Sequence, residues 1–159
     1  HGAELIWDSL AIGEYLHEQF PSAGLWPSAS HARAHARSMV AEMHSGFEAL
    51  RSALPMNIAK RYPGFYKTVT VRREIGRISD MWQACLDRFG GNGPFLFGSF
   101  GLADAFFAPV VMRFISYDAQ LSPTLMNYVT AVQDQPFVKD WFAHSVDEPR
   151  TAPHYDYER

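Results

Sequence analysis

Asp8 and Ser9 stand directly before an apolar-periodic stretch that reads as a helix from Asp8 to Gln19. A helix N-terminus presents unpaired N–H groups and partial positive charge, which suits a carboxylate ligand. The Ser9 hydroxyl adds a donor for that carboxylate, while Asp8 can pair with an α-ammonium. Asp and Ser are also favoured helix caps, so plain N-capping is the competing reading. His31 and His35 lie four apart on one helix face, a spacing seen in metal sites. Arg33 and Arg37 beside them instead suggest a solvated basic face, and no third ligand stands at a supporting spacing. No metal is therefore expected. Asp104, three residues after Gly101, can accept from the cap region of its helix, so it reads as structural. Cys85, on an apolar stripe with Trp82 and Phe89, reads as a small buried hydrophobe. Arg113 is a lone charge in an apolar helix, expected to emerge and pair with an acid, with anion binding as the other option.

These residues need elements to position them, and nearly all of those read as helices. Glu4 to Trp7 looks like the end of a short strand running into the Asp8–Gln19 helix, where Ile12, Tyr15, Leu16 and Phe20 recur at three- and four-residue spacing. Pro21-Ser22-Ala23-Gly24 breaks it, and residues 25–29 form a linker anchored by Leu25 and Trp26. Met39, Met43, Phe47, Leu50 and Leu54 predict one long helix from Ser30 to Leu54. A second runs from Lys67 to Phe89, striped by Val71, Ile75, Ile78, Trp82 and Cys85, and stops at Gly90-Gly91-Asn92-Gly93-Pro94. The stretch from Gly101 to Tyr117 is apolar nearly all round, as a central buried helix would be, with Pro109 expected to kink it. Ser122-Pro123 has the form of a cap followed by a first-turn proline. A short helix from Phe137 to His144 precedes an irregular tail, 146–159.

The 159 residues are 47% hydrophobic and 19% charged, a core-forming composition with room for about one domain. A net charge of −3 argues against nucleic-acid or anionic-membrane partners, which need a basic face. No apolar run approaches the roughly 18 residues of a membrane span. A single cysteine rules out an internal disulfide and fits a cytoplasmic setting.

Trp7-Asp8-Ser9-Leu10-Ala11-Ile12, followed by Glu14-Tyr15-Leu16, resembles the third helix of the thioredoxin-like domain of glutathione S-transferases. Gly98-Ser99-Phe100-Gly101-Leu102-Ala103-Asp104-Ala105 resembles the start of the buried helix in the family's C-terminal domain. The Leu25-Trp26-Pro27 linker between them is similar too. The resemblance implies a mainly α fold: a C-terminal bundle of five to six helices over residues 30–145, with residues 1–24 the remnant of a thioredoxin-like α/β domain. It implies glutathione as co-substrate, held through its γ-glutamyl end by Asp8 and Ser9. The thiolate would then attack a small hydrophobic electrophile, by conjugation or by isomerisation as in maleylacetoacetate isomerases.

By the same resemblance, the thiol-activating Tyr, Ser or Cys and the cis-proline loop are expected upstream of His1. The middle of the long helix would face the cleft, making Met43, His44, Phe47 and Arg113 candidates for an electrophile pocket; Met43 and Phe47 read equally well as core. The family usually has Ser or Thr where Gly101 stands, so Asp104 should rely on Ser99 or on backbone donors. A homodimer is expected, with the Ser30–Leu54 and Lys67–Phe89 helices at its interface. The alternative reading is a non-catalytic docking or ligand-carrying module of the same fold.

Overall fold

In a computed structural model, residues 1–58, 60–64, 68–91 and 93–147 are described. They form seven α-helices: α1 Ser9–Gln19, α2 Ser30–Ser45, α3 Glu48–Ala53, α4 Val69–Phe89, α5 Leu102–Tyr117, α6 Pro123–Gln133 and α7 Pro136–Asp147. The mainly helical fold expected from the sequence is thus observed. The chain clusters into two units, His1–Gly46 with Cys85–Phe107, and Phe47–Ala84 with the described part of Ala108–Arg159.

In the first unit, the chain before α1 is not a strand, contrary to expectation: a strand needs a ladder partner, and among the described residues only an isolated Phe95–Gly98 bridge occurs. The helix expected from Asp8 starts at Ser9, with Asp8 as its cap. It ends at Gln19, and Pro21–Ala23 turns as a short 3-10 segment. Gly13, buried on α1, faces Leu102 and Phe106 of α5. Two hydrogen bonds from Arg37 to Glu14, at 2.8 and 2.6 Å, join α2 to α1. That pairing holds the Glu14 carboxyl below its usual range. Trp26 is 3% exposed, and the Arg37 guanidinium lies 5.8 Å from its ring centroid.

The helix expected over Ser30–Leu54 is broken. α2 stops at Ser45, Gly46 is extended, and Phe47 is left-handed at φ 59 before α3 begins. A Cβ on Gly46 would come within 2.7 Å of the Glu42 carbonyl oxygen, so this turn accepts no side chain there. The apolar spacing continues through the break because Leu50 and Leu54 are both fully buried after it.

In the second unit, the α4 stripe is buried as expected, through Val71, Ile75, Ile78 and Trp82. Lys67, expected to open this helix, lies outside the described residues. The Trp82 ring meets Phe114 of α5 at 5.3 Å and Tyr128 of α6 edge-on at 4.9 Å. Fully burying one such ring contributes on the order of 3 kcal/mol. Ser122 caps α6 by accepting from the Leu125 N–H at 3.3 Å, and Pro123 follows at the first position. α7 is helical through Asp147, so Val146 and Asp147 correct the expected irregular tail; 148–159 lie outside the described residues.

Arg113 corrects its expectation. Among the described residues its partners are carbonyls, not an acid: its Nε donates to the Leu54 carbonyl at 2.8 Å and a terminal nitrogen to the Pro109 carbonyl at 3.0 Å. Leu54 is the cap residue of α3, where orphaned carbonyls favour a cation. Burial, with the nearby Arg51 charge, lowers the pKa of the guanidinium. Removing the side chain leaves the Leu54 carbonyl without this donor. Arg113→Ala should therefore cost about 1.5–3 kcal/mol in urea unfolding. A loss below about 0.5 kcal/mol would show that the two carbonyls find other donors.

Candidate functional site

Asp8 is where the sequence and the backbone agree that something unusual happens. It adopts φ 73, ψ 128, a conformation that non-glycine residues rarely hold. Such geometry costs on the order of 1–3 kcal/mol and concentrates at functional positions. Both carboxylate oxygens are engaged. Oδ1 accepts from the Leu10 N–H at 2.9 Å and the Ala11 N–H at 3.4 Å, capping α1. Oδ2 lies 3.0 Å from Nε2 of His44 on α2. The Leu10 N–H foremost holds the Asp8 carboxyl below its ordinary pKa against the opposing effect of burial, with smaller contributions from the Ala11 N–H and the His44 imidazole.

Ser9 opens α1 and is exposed beside Asp8, which takes the Leu10 and Ala11 N–H groups on its carboxylate and the Ile12 N–H on its carbonyl. The capping role considered from sequence is thus in place, and it leaves the same corner open to a ligand. His44 is half-buried, with its ring edge-on to Phe106 of α5 at 6.3 Å and 82°. Asp8, Ser9, His44 and Phe106 form one local group, on three elements of the first unit. The Asp8–His44 pairing spans 36 residues, and no periodicity or motif in the sequence signals it.

The other pocket candidates have different surroundings. Met43 is 6% exposed and Phe47 7%, so both side chains serve as core. Arg113 is committed to backbone carbonyls in the second unit.

Asp104 is 1% exposed and accepts from the Gly101 N–H at 2.9 Å and the Leu96 N–H at 3.2 Å. These are backbone donors, one of the two options open from sequence. The Leu96 carbonyl in turn accepts from the Cys85 thiol at 3.1 Å. Burial, with the Asp104 charge behind it, pushes Cys85 up to about 12, so it is a thiol and no nucleophile at neutral pH. Leu96 is therefore held by α4 through its carbonyl and by α5 through its N–H.

His31 and His35 lie against Phe89, at 5.9 and 5.2 Å between centroids. Among the described residues no group of three or more His, Cys, Asp or Glu is gathered as a metal site requires. None of the described helices is long and apolar enough to cross a membrane.

Known proteins give these features a context. The profile of the glutathione S-transferase C-terminal domain matches residues 32–144, more than two thirds of the chain. No curated protein matches it. Among solved structures, a glutathione transferase homolog from Burkholderia gl BGR1, crystallised with bound glutathione, is similar in fold. Its TM-score is 0.69 at 22% identity, over 94% of this chain and 72% of that one. Since the profile runs from α2 into α7, the chain belongs to the glutathione S-transferase family and carries its C-terminal helical domain.

Proposed function

We propose that this protein is a glutathione transferase, in which the thiolate of bound glutathione attacks a small hydrophobic electrophile. The observation that carries this reading is the Asp8–Ser9 corner: an ionised, strained aspartate and an exposed serine at the start of α1. The γ-glutamyl end of glutathione carries a carboxylate and an ammonium on one carbon. The carboxylate meets the Ser9 hydroxyl and the Ser9 backbone N–H, and the ammonium meets Asp8. The solved homolog with bound glutathione supports the choice of co-substrate.

Asp8 and Ser9 bind and orient; they do not activate sulfur. That step needs a donor to the thiolate, which lowers its pKa, and the reading assigns it to no residue of this chain. Attack then forms a carbon–sulfur bond, and the displaced electron pair leaves on the electrophile's leaving group or is protonated. In the isomerase variant, the same bond breaks again after rotation in the substrate.

Residues 1–24 form the end of a thioredoxin-like domain, 25–29 the linker and 30–145 the helical domain. The exposed apolar side chains of Leu5, Trp7, Ile12, Leu16 and Phe20 support this division, since such a stripe is unusual on a free surface. We place the protein in the cytoplasm as a homodimer, with α2, α3 and α4 at the two-fold interface.

The test is calorimetric binding of glutathione to the full-length protein. Losing the Ser9 hydroxyl from a charged ligand should cost about 1.5 kcal/mol, so Ser9→Ala is expected to bind roughly tenfold more weakly. Unchanged affinity would remove the site assignment. If the wild-type protein binds no glutathione, the docking-module reading replaces the enzyme.

A further inference from the structure

Resting on the glutathione reading above, we infer that Arg37 is a positioning residue: by clamping Glu14 it fixes the register of α1 against α2, and so holds Asp8 and Ser9 where the γ-glutamyl end is captured. Packing alone fixes α1 poorly. Of its 11 residues, all described, only Gly13 is buried, and Ile12 and Leu16 are exposed. Gly13 gives close approach without grip. A Cβ there would lie 3.3 Å from the Leu102 side chain, and glycine itself has no side chain to interlock with a neighbour. The register therefore falls to polar contacts.

Those contacts form a two-rung ladder. Asp8 meets His44 at 3.0 Å, and Glu14, later on α1, meets Arg37, earlier on α2. The two helices thus run antiparallel. At a rise of 1.5 Å per residue the rungs are about 9 Å apart on α1 and about 10.5 Å apart on α2, so both fit one register. The rung at Arg37 is a fork: its Nε donates to one Glu14 carboxylate oxygen at 2.8 Å and a terminal nitrogen to the other at 2.6 Å. Two parallel bonds fix orientation as well as distance, which a single charge contact does not.

Glu18, one turn further along α1, also attracts the Arg37 charge. A slip of one turn, about 5.4 Å, would bring it to the guanidinium and carry Asp8 off His44. The fork on Glu14 selects against that slip, and the buried Trp26 ring backs the guanidinium at 5.8 Å. Both partners are charged: the Arg37 contact foremost, against burial, holds the Glu14 carboxyl below its usual range, and the Trp26 indole adds to this. The pair is partly exposed, so its direct contribution to stability is small. Its effect is on where α1 lies.

The probe is S-methylglutathione, an unreactive thioether, bound by calorimetry to the full-length protein at neutral pH, where urea curves show each variant folded. Arg37→Gln should bind roughly three- to tenfold more weakly than wild type, while its urea midpoint hardly moves. Ser9→Ala should cost less affinity in the Arg37→Gln background than in wild type, because a displaced corner no longer presents the hydroxyl. A structural role alone would leave the two losses additive. Affinity of Arg37→Gln within about 1.5-fold of wild type, or additive losses, overturns the inference and leaves the glutathione reading standing. No binding by the wild-type protein overturns both.

Should Arg37→Gln fail to fold, Arg37→Lys decides, since lysine keeps the charge but not the fork. It should bind roughly two- to fivefold more weakly than wild type. Wild-type affinity in Arg37→Lys would contradict the inference.

Discussion

Asp104→Ala is expected to unfold the protein or bring it to the edge of unfolding. The carboxylate is 1% exposed and accepts from two backbone N–H groups, those of Leu96 and Gly101. Each buried N–H left without its partner costs about 1–3 kcal/mol, and the vacated volume adds to this. The sum, roughly 3–5 kcal/mol, rivals the whole stability of a small domain. Asp104→Asn keeps one acceptor oxygen and should lose less than the alanine variant. Urea unfolding of both variants measures this. If Asp104→Ala cost under about 1 kcal/mol, those two hydrogen bonds would not be what holds the α4–α5 connection.

The second large effect lies in the same connection. A Cβ built on Gly93 falls on the Gly98 carbonyl group, which is backbone and cannot swing aside. Gly93 also donates its N–H to the Gly90 carbonyl at 3.1 Å, and Gly98 donates to Phe95 at 2.9 Å. The two backbone runs are therefore in van der Waals contact, with no gap for a methyl group. Gly93→Ala should shift one of them and cost about 3 kcal/mol or more, since overpacking against backbone has no soft rotamer to relax into. Thermal unfolding that matches wild type within a degree or two would mean the loop rearranges freely.

Much of this fold can be read from local chemistry. Ser122-Pro123 opens α6, Gly90 and Gly91 end α4, and the stripe from Val71 to Cys85 is buried as its spacing implies. The break after Ser45 could not be read that way. Leu50 and Leu54 keep helical spacing across it, and a left-handed Phe47 is a turn that no residue preference announces. Arg113 shows a similar limit: an isolated charge suggests an acidic partner, whereas its partners are carbonyls, which leave no mark on composition.

At the candidate site, Asp8 and Ser9 were legible because capping chemistry is local to one helix start. His44 was legible only as a residue of suitable type. Its pairing with Asp8 depends on how α2 lies beside α1, and the Glu14–Arg37 ion pair that joins those helices is itself 23 residues apart in sequence.

The most direct test of the account is a crystal structure of the full-length protein with S-methylglutathione. The account predicts the γ-glutamyl carboxylate within hydrogen-bonding distance of the Ser9 hydroxyl and the Ser9 backbone N–H, and the ammonium beside Oδ2 of Asp8. A γ-glutamyl end bound elsewhere, with Asp8 doing no more than capping α1, would contradict it.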